Sequence, residues 1–102
     1  MENRFRRVTV QITRSLDPHN PGVVEGELTD AEGVVHIFVD KVPIFTSEML
    51  DGGSTYPQTG AVECRILEES QDAAGRSLLR IRTIESTKGK SEFVVLSSQV
   101  AD

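Results

Sequence analysis

Tryptophan is absent from this chain, tyrosine and cysteine occur once each, and no apolar run approaches the roughly 20 residues that span a bilayer as a helix. Each shortage excludes something. A single cysteine, Cys64, cannot close an internal disulfide, so the chain is no disulfide scaffold and a reducing compartment fits it. Scarce aromatics leave little on which nucleobases can stack. Met1 to Arg7 is polar and basic with no apolar stretch of signal-peptide type behind it, which leads us to expect a soluble, cytoplasmic protein with no membrane partner. Chemistry-bearing motifs are missing as well: there is no H-x-x-x-H, H-E-x-x-H or paired-cysteine spacing for zinc, no G-x-x-x-x-G-K-[ST] and no G-x-G-x-x-G. We therefore expect no enzyme, no cofactor and no metal.

What remains is a chain of 102 residues, enough for one domain that buries roughly 60–70% of its unfolded surface. Its net charge of −5 opposes general attraction to a phosphate backbone, so nucleic acid is disfavoured as a partner. Apolar residues fall in short, β-branched runs between turn formers, the pattern of a small all-β protein. From Arg7 to Thr13 the alternation is clean, with Val8, Val10 and Ile12 on one side, and marks a half-buried strand. The Asp17–Gly22 stretch, with its two prolines, ends it.

Two later stretches share one turn, Asp30-Ala31-Glu32-Gly33 and Asp72-Ala73-Ala74-Gly75, each flanked by strand-forming residues. Aspartate folds its carboxylate onto nearby backbone N–H groups and glycine takes the positive φ that β-branched residues resist. Parity then selects the loop length. A four-residue loop sets Leu28, Gly26 and Val24 opposite Val35, Ile37 and Val39, and puts His36 beside Glu27 and Phe38 beside Glu25 on the outside. In the second hairpin it sets Ile66 opposite Ile81 and Cys64 opposite Thr83, inward, with Arg65 opposite Arg82 and Leu67 opposite Arg80, outward. A three-residue loop would set Leu28 against His36 and Ile66 against Arg82, so the longer loop is preferred in both.

Between the hairpins, Pro43 suggests an edge or exit segment, and Thr46 to Gly53 carries the marks of one or two helical turns. Tyr56-Pro57 admits a cis bond. Thr87-Lys88-Gly89-Lys90 reads as a further turn before a last strand over Ser91–Ser98. Residues 1–4 are expected to be disordered, 5–98 to form a single domain and 99–102 to fray. The element order is similar to that of a small antiparallel barrel of the oligonucleotide/oligosaccharide-binding type, five or six strands with one short helical turn between two hairpins; an SH3-like barrel is the alternative.

Candidate sites follow from that layout. His36 beside Glu27 would make a pH-sensitive pair, or simply an exposed cross-strand contact. His19 reads as an exposed loop residue and Cys64 as a buried structural one. Arg65, Arg80 and Arg82 among Leu67, Leu78 and Ile84 give the second hairpin an outer face typical of protein interfaces, unless Glu63, Glu69 and Glu85 neutralise the arginines. The loop over Thr46–Gly60 offers Tyr56, with Met49 and Leu50 as candidate plugs of a barrel end. These features favour a non-catalytic protein-interaction module with a protein partner or a second copy of itself. The alternatives are a single-stranded nucleic-acid-binding barrel and a small-ligand or pH-sensing barrel centred on His36.

Overall fold

The structure, a computed structural model, describes residues 5–17, 19 and 22–101. The alternating run at the start becomes β1, Phe5–Asp17, with Val8, Val10 and Ile12 almost wholly buried as parity requires. It is followed by β2 (Val23–Thr29), β3 (Val35–Lys41), a helical turn α1 (Val42–Phe45), β4 (Gln58–Gln71), β5 (Ser77–Arg82), β6 (Glu92–Leu96), a 3₁₀ turn over Ser97–Gln99 and the short β7 (Val100–Ala101). All pairings are antiparallel, in the order β3-β2-β1-β4-β5-β6, with β7 on β1. A three-strand meander, a helical turn and a hairpin on the far side of β1 form the barrel-like all-β fold that the order of segments anticipates.

Curvature comes from β1, which carries irregularities between Ile12 and Arg14 and between Ser15 and Asp17; such bulges bend a strand. The bend brings β6 round towards β3. Among the described residues these two edges share no ladder. The gap is joined instead by two backbone bonds, Thr87 N–H to the Ile37 carbonyl at 2.8 Å and Ala31 N–H to the Val94 carbonyl at 2.9 Å. Inside it, the Phe93 ring lies 4.6 Å from the His36 ring and 5.8 Å from the Phe38 ring, centroid to centroid.

Both Asp-x-x-Gly turns are built on three-residue loops, not four. Asp30 N–H donates to the Val34 carbonyl and Gly33 N–H to the Asp30 carbonyl; Asp72, Gly75 and Arg76 repeat the pattern. Gly33 and Gly75 take φ of 83° and 81°, the left-handed residue that follows a type I turn in such loops. In the first hairpin the register therefore differs from the expected one: Leu28 pairs with His36, Glu27 with Ile37, Gly26 with Phe38, Glu25 with Val39 and Val24 with Asp40. Phe38 and His36 turn inward, while Val35 and Val39 face out. Aromatic area explains the choice, since a buried phenyl ring removes about 150–250 Å² from water, more than either valine offers.

The second hairpin starts from the same turn, with Gln71 opposite Ser77 and Glu68, not Leu67, opposite Arg80. A bulge at Leu67 then shifts the register by one, so Ile66 meets Ile81 and Arg65 meets Arg82 as expected. Ile81 is fully buried and Ile66 packs against the core.

Two further expectations change. The helical turn lies at Val42–Phe45, before Thr46–Gly53, because Pro43 sits in its first turn, where a fixed φ and a missing N–H cost nothing. Phe45, not Met49 or Leu50, closes that barrel end: a Cβ built on Gly26 would come within 3.0 Å of its ring, and one on Gly60 within 2.8 Å of its carbonyl oxygen and of Ile12. Leu50 packs only partly on the core, Met49 is 89% exposed, and the Thr46 hydroxyl accepts from Glu48 N–H beyond the helix. Where fraying was expected from Gln99 onward, Val100 and Ala101 pair with Val8 and Arg7, and the Gln99 amide donates to the Thr29 carbonyl. Residues 1–4 and Asp102 lie outside the described residues. Among the described residues no helix is long and apolar enough to cross a membrane.

Candidate interaction surfaces

A third copy of the turn follows β5. Ser86 N–H donates to the Lys90 carbonyl, Gly89 N–H to the Ser86 carbonyl, and Gly89 has φ of 77°. The Ser86 hydroxyl accepts from the N–H groups of Lys88 and Lys90, as Asp30 Oδ1 accepts from Glu32 and Val34 and Asp72 Oδ1 from Ala74 and Arg76. The spacing Ser-x-x-Gly was the available signal for it. Thr87 caps the middle of the β3 edge through its bond to Ile37, which turns the 86–90 loop over Val34–Ile37.

A cleft of about 270 Å³ lies between them, lined by Val34 to Ile37, Ser86 to Lys88 and Lys90. Lys41, Lys88 and Lys90 are all the lysines of the chain, and all belong to β3 or to the loop across from it. Among the described residues none of their ammonium groups reaches a carboxylate; Lys90 Nζ sits 5.4 Å from the centroid of the Phe93 ring. From the residues alone this loop reads only as a turn.

The odd-numbered residues of β3 complete the edge. Because the Ile37 carbonyl accepts from Thr87, parity turns the backbone groups of Val35 and Val39 away from β2 as well. Their side chains are 49% and 44% exposed, and Val34 beside them 52%.

His36 is not beside Glu27. Its Nε2 lies 2.8 Å from Asp30 Oδ2, and both side chains are largely buried. Glu27 faces Gln11 and Ile37 across the two ladders. Burial raises the Asp30 carboxyl, but bonds from His36 and from the N–H groups of Val34 and Glu32 outweigh it and hold its pKa below the usual value. In the second turn Arg76 takes the place of histidine, bonding Asp72 Oδ2 at 2.6 Å and reaching the Ala31 carbonyl at 3.1 Å.

On the outer face of the second hairpin Arg80 meets Glu92 at 2.9 Å and Glu68 at 3.5 Å, and Arg82 meets Glu92 at 2.8 Å. The acids that pair these guanidiniums are thus Glu68 and Glu92, not Glu63, Glu69 and Glu85. The bond from Arg82, opposed by desolvation and helped by the bond from Arg80, holds the Glu92 carboxyl below its usual range. Leu78 is half-buried opposite Leu96, Leu67 half-buried at the bulge, and Arg65 exposed next to Arg82. Ile84 packs against the core. Tyr56, half-buried and joined to Pro57 by a cis bond, donates its hydroxyl to the Asp51 carbonyl at 2.7 Å.

Cys64 is buried, and burial pushes its thiol up to about 11. His19 is exposed and bonds Asp17 at 2.6 Å. No group of three or more His, Cys, Asp or Glu side chains is placed to hold a metal among the described residues. Comparison with known proteins finds no matching family model, no matching curated protein and no matching solved structure.

Proposed function

We propose that the chain is a non-catalytic protein-binding domain and that it binds through the outer edge of β3. The observation that carries this reading is the edge itself: half-exposed Val34, Val35 and Val39 beside backbone groups turned away from β2, of which, among the described residues, a backbone bond covers Ile37 alone. Sheet edges are ordinarily blunted by charge, proline or short length, because an open one templates pairing with another chain. An extended partner segment gains main-chain bonds there and apolar contact from the valines. The groups best suited to chemistry are otherwise engaged: His36 is bonded to Asp30 and packed at a tilt against Phe93, and the Cys64 thiol is buried.

The outer arginine face supports the reading less, since Arg80 and Arg82 already have carboxylate partners. Single-stranded nucleic acid has less still, because Phe38, Phe45 and Phe93 are in the core and the Tyr56 hydroxyl is tied to Asp51, which leaves Phe5 as the one exposed phenylalanine.

A photo-crosslinking residue at Val39, compared with one at the exposed Thr9 on β1, tests the proposal in cells. A discrete protein adduct from position 39 and none from position 9 is expected. No adduct, or the same adducts from both positions, would overturn it.

A further inference from the structure

We infer that the cleft between β3 and the 86–90 turn receives a glutamate or aspartate side chain of a partner polypeptide, next to an aliphatic residue seated on Val34 and Val35. The inference rests on the protein-binding reading above and names the chemistry of the partner at that edge.

Size argues first. At about 270 Å³ the cleft falls below the roughly 300–1,000 Å³ of pockets that enclose whole small molecules, and it suits one or two side chains. Charge argues next. The chain is acidic overall, and Arg14, Arg76, Arg80 and Arg82 each meet a carboxylate, yet Lys88 and Lys90 line this cleft and make no ion pair among the described residues. An incoming carboxylate thus finds two lysines that line the cleft without an ion-pair partner among the described residues. The wall opposite is apolar, with Val34 and Val35 half-exposed, so a residue of matching character beside the acid completes the fit. Complementary charge of this kind sets specificity and on-rate more than bulk affinity.

The test is a ¹⁵N–¹H NMR titration of the full chain with a blocked hexapeptide of alternating glutamate and valine. The same peptide with glutamine for glutamate, and inorganic phosphate, are run beside it. The acidic peptide is expected to move the amides of residues 34–37 and 86–90. Its affinity should fall at least about tenfold in a Lys88→Glu, Lys90→Glu double variant. Because Lys90 also lies over Phe93, the exposed Lys88 is changed to Glu alone as well, and a smaller loss in the same direction is expected. Equal shifts with the glutamine peptide, shifts with phosphate alone, or no shift would each overturn the inference. So would the same shifts on raising protein concentration without peptide, which would make the occupant a second copy. A crosslinked partner at Val39 whose contacting segment lacks acidic residues would leave the protein-binding reading intact and sink this one.

Discussion

The two aspartate turns are locally the same object, yet the hairpins they close differ. Both have a carboxylate accepting two backbone N–H groups, a glycine near φ of +82°, and a three-residue loop. In the β2–β3 hairpin the ladder then runs without a shift from Thr29–Val35 to Val23–Lys41. In the β4–β5 hairpin it breaks at Leu67. The turn fixes the pairing beside it, and the core decides which parity must hold a few residues on. Where turn and core agree, as with Phe38 inward, the ladder is regular. Where they disagree, one extra residue reconciles them, and Ile66 reaches the inside despite a turn that would send it out.

Deletions break that comparison most sharply. Removing Leu67 takes out the extra residue, so Ile66 can still meet Ile81 and Arg65 still meet Arg82 in a regular ladder. The expected cost is that of a half-buried leucine, about 1–2 kcal/mol. Removing Glu27 from the unbroken hairpin flips every upstream residue of β2, sending Val24 outward and setting a side chain against Phe45 where Gly26 leaves room. That should exceed about 5 kcal/mol, the lower end of a domain's whole stability, and leave the chain unfolded. Urea unfolding of both variants decides. Equal loss would mean that the bulge is needed for curvature and is no mere register device.

The second contrast is between the carboxylates. Asp30 is largely buried with His36, whereas Asp72 is bonded to a more exposed Arg76. Asp30→Ala strips a buried imidazole of its partner and is expected to cost about 2–3 kcal/mol; Asp72→Ala should cost less, because water replaces what is lost. Both carboxyls lie below their usual pKa, Asp72 chiefly through the bond from Arg76. A depressed folded pKa contributes stability above the unfolded value, near pH 4, and loses it as pH falls through the folded value. Asp30→Asn, which keeps an acceptor for the turn, should therefore flatten the acid limb of stability below about pH 4. An unchanged acid limb in thermal melts would refute a role for that carboxylate.

These contrasts also mark how far the sequence could be read. The strand segments, the buried Cys64 and the inward β1 residues were legible because alternation and burial carry one signal. The first register was not, because parity alone weighed β-branched residues without weighing ring area, and Phe38 and His36 outbid Val35 and Val39. The bulge at Leu67 was invisible for a related reason: the expected pairing of Ile66 with Ile81 was right, although the loop assumed for it was wrong. The helical turn falls earlier than expected because Pro43, a residue that also marks strand edges, opens a helix with the same fixed φ. As for the candidate surface, its lysines were visible, but their meeting with β3 depends on the curl of the sheet.

The smallest expected effect tests whether the turns are truly alike. A Cβ on Gly33, Gly75 or Gly89 would find no atom within 4 Å, so substitution by alanine meets no steric obstacle beyond the backbone's own left-handed conformation. Each Gly→Ala change should then cost the same, about 1–2 kcal/mol, although the first turn is docked on β6, the second reaches out through Arg76 and the third caps the β3 edge. If denaturant midpoints for Gly33→Ala fall well below those for the other two, the first turn cannot be a free-standing local unit. Its cost would then include the Ala31 bond to Val94, and closure of the barrel would depend on that turn's shape as much as on the core beneath it.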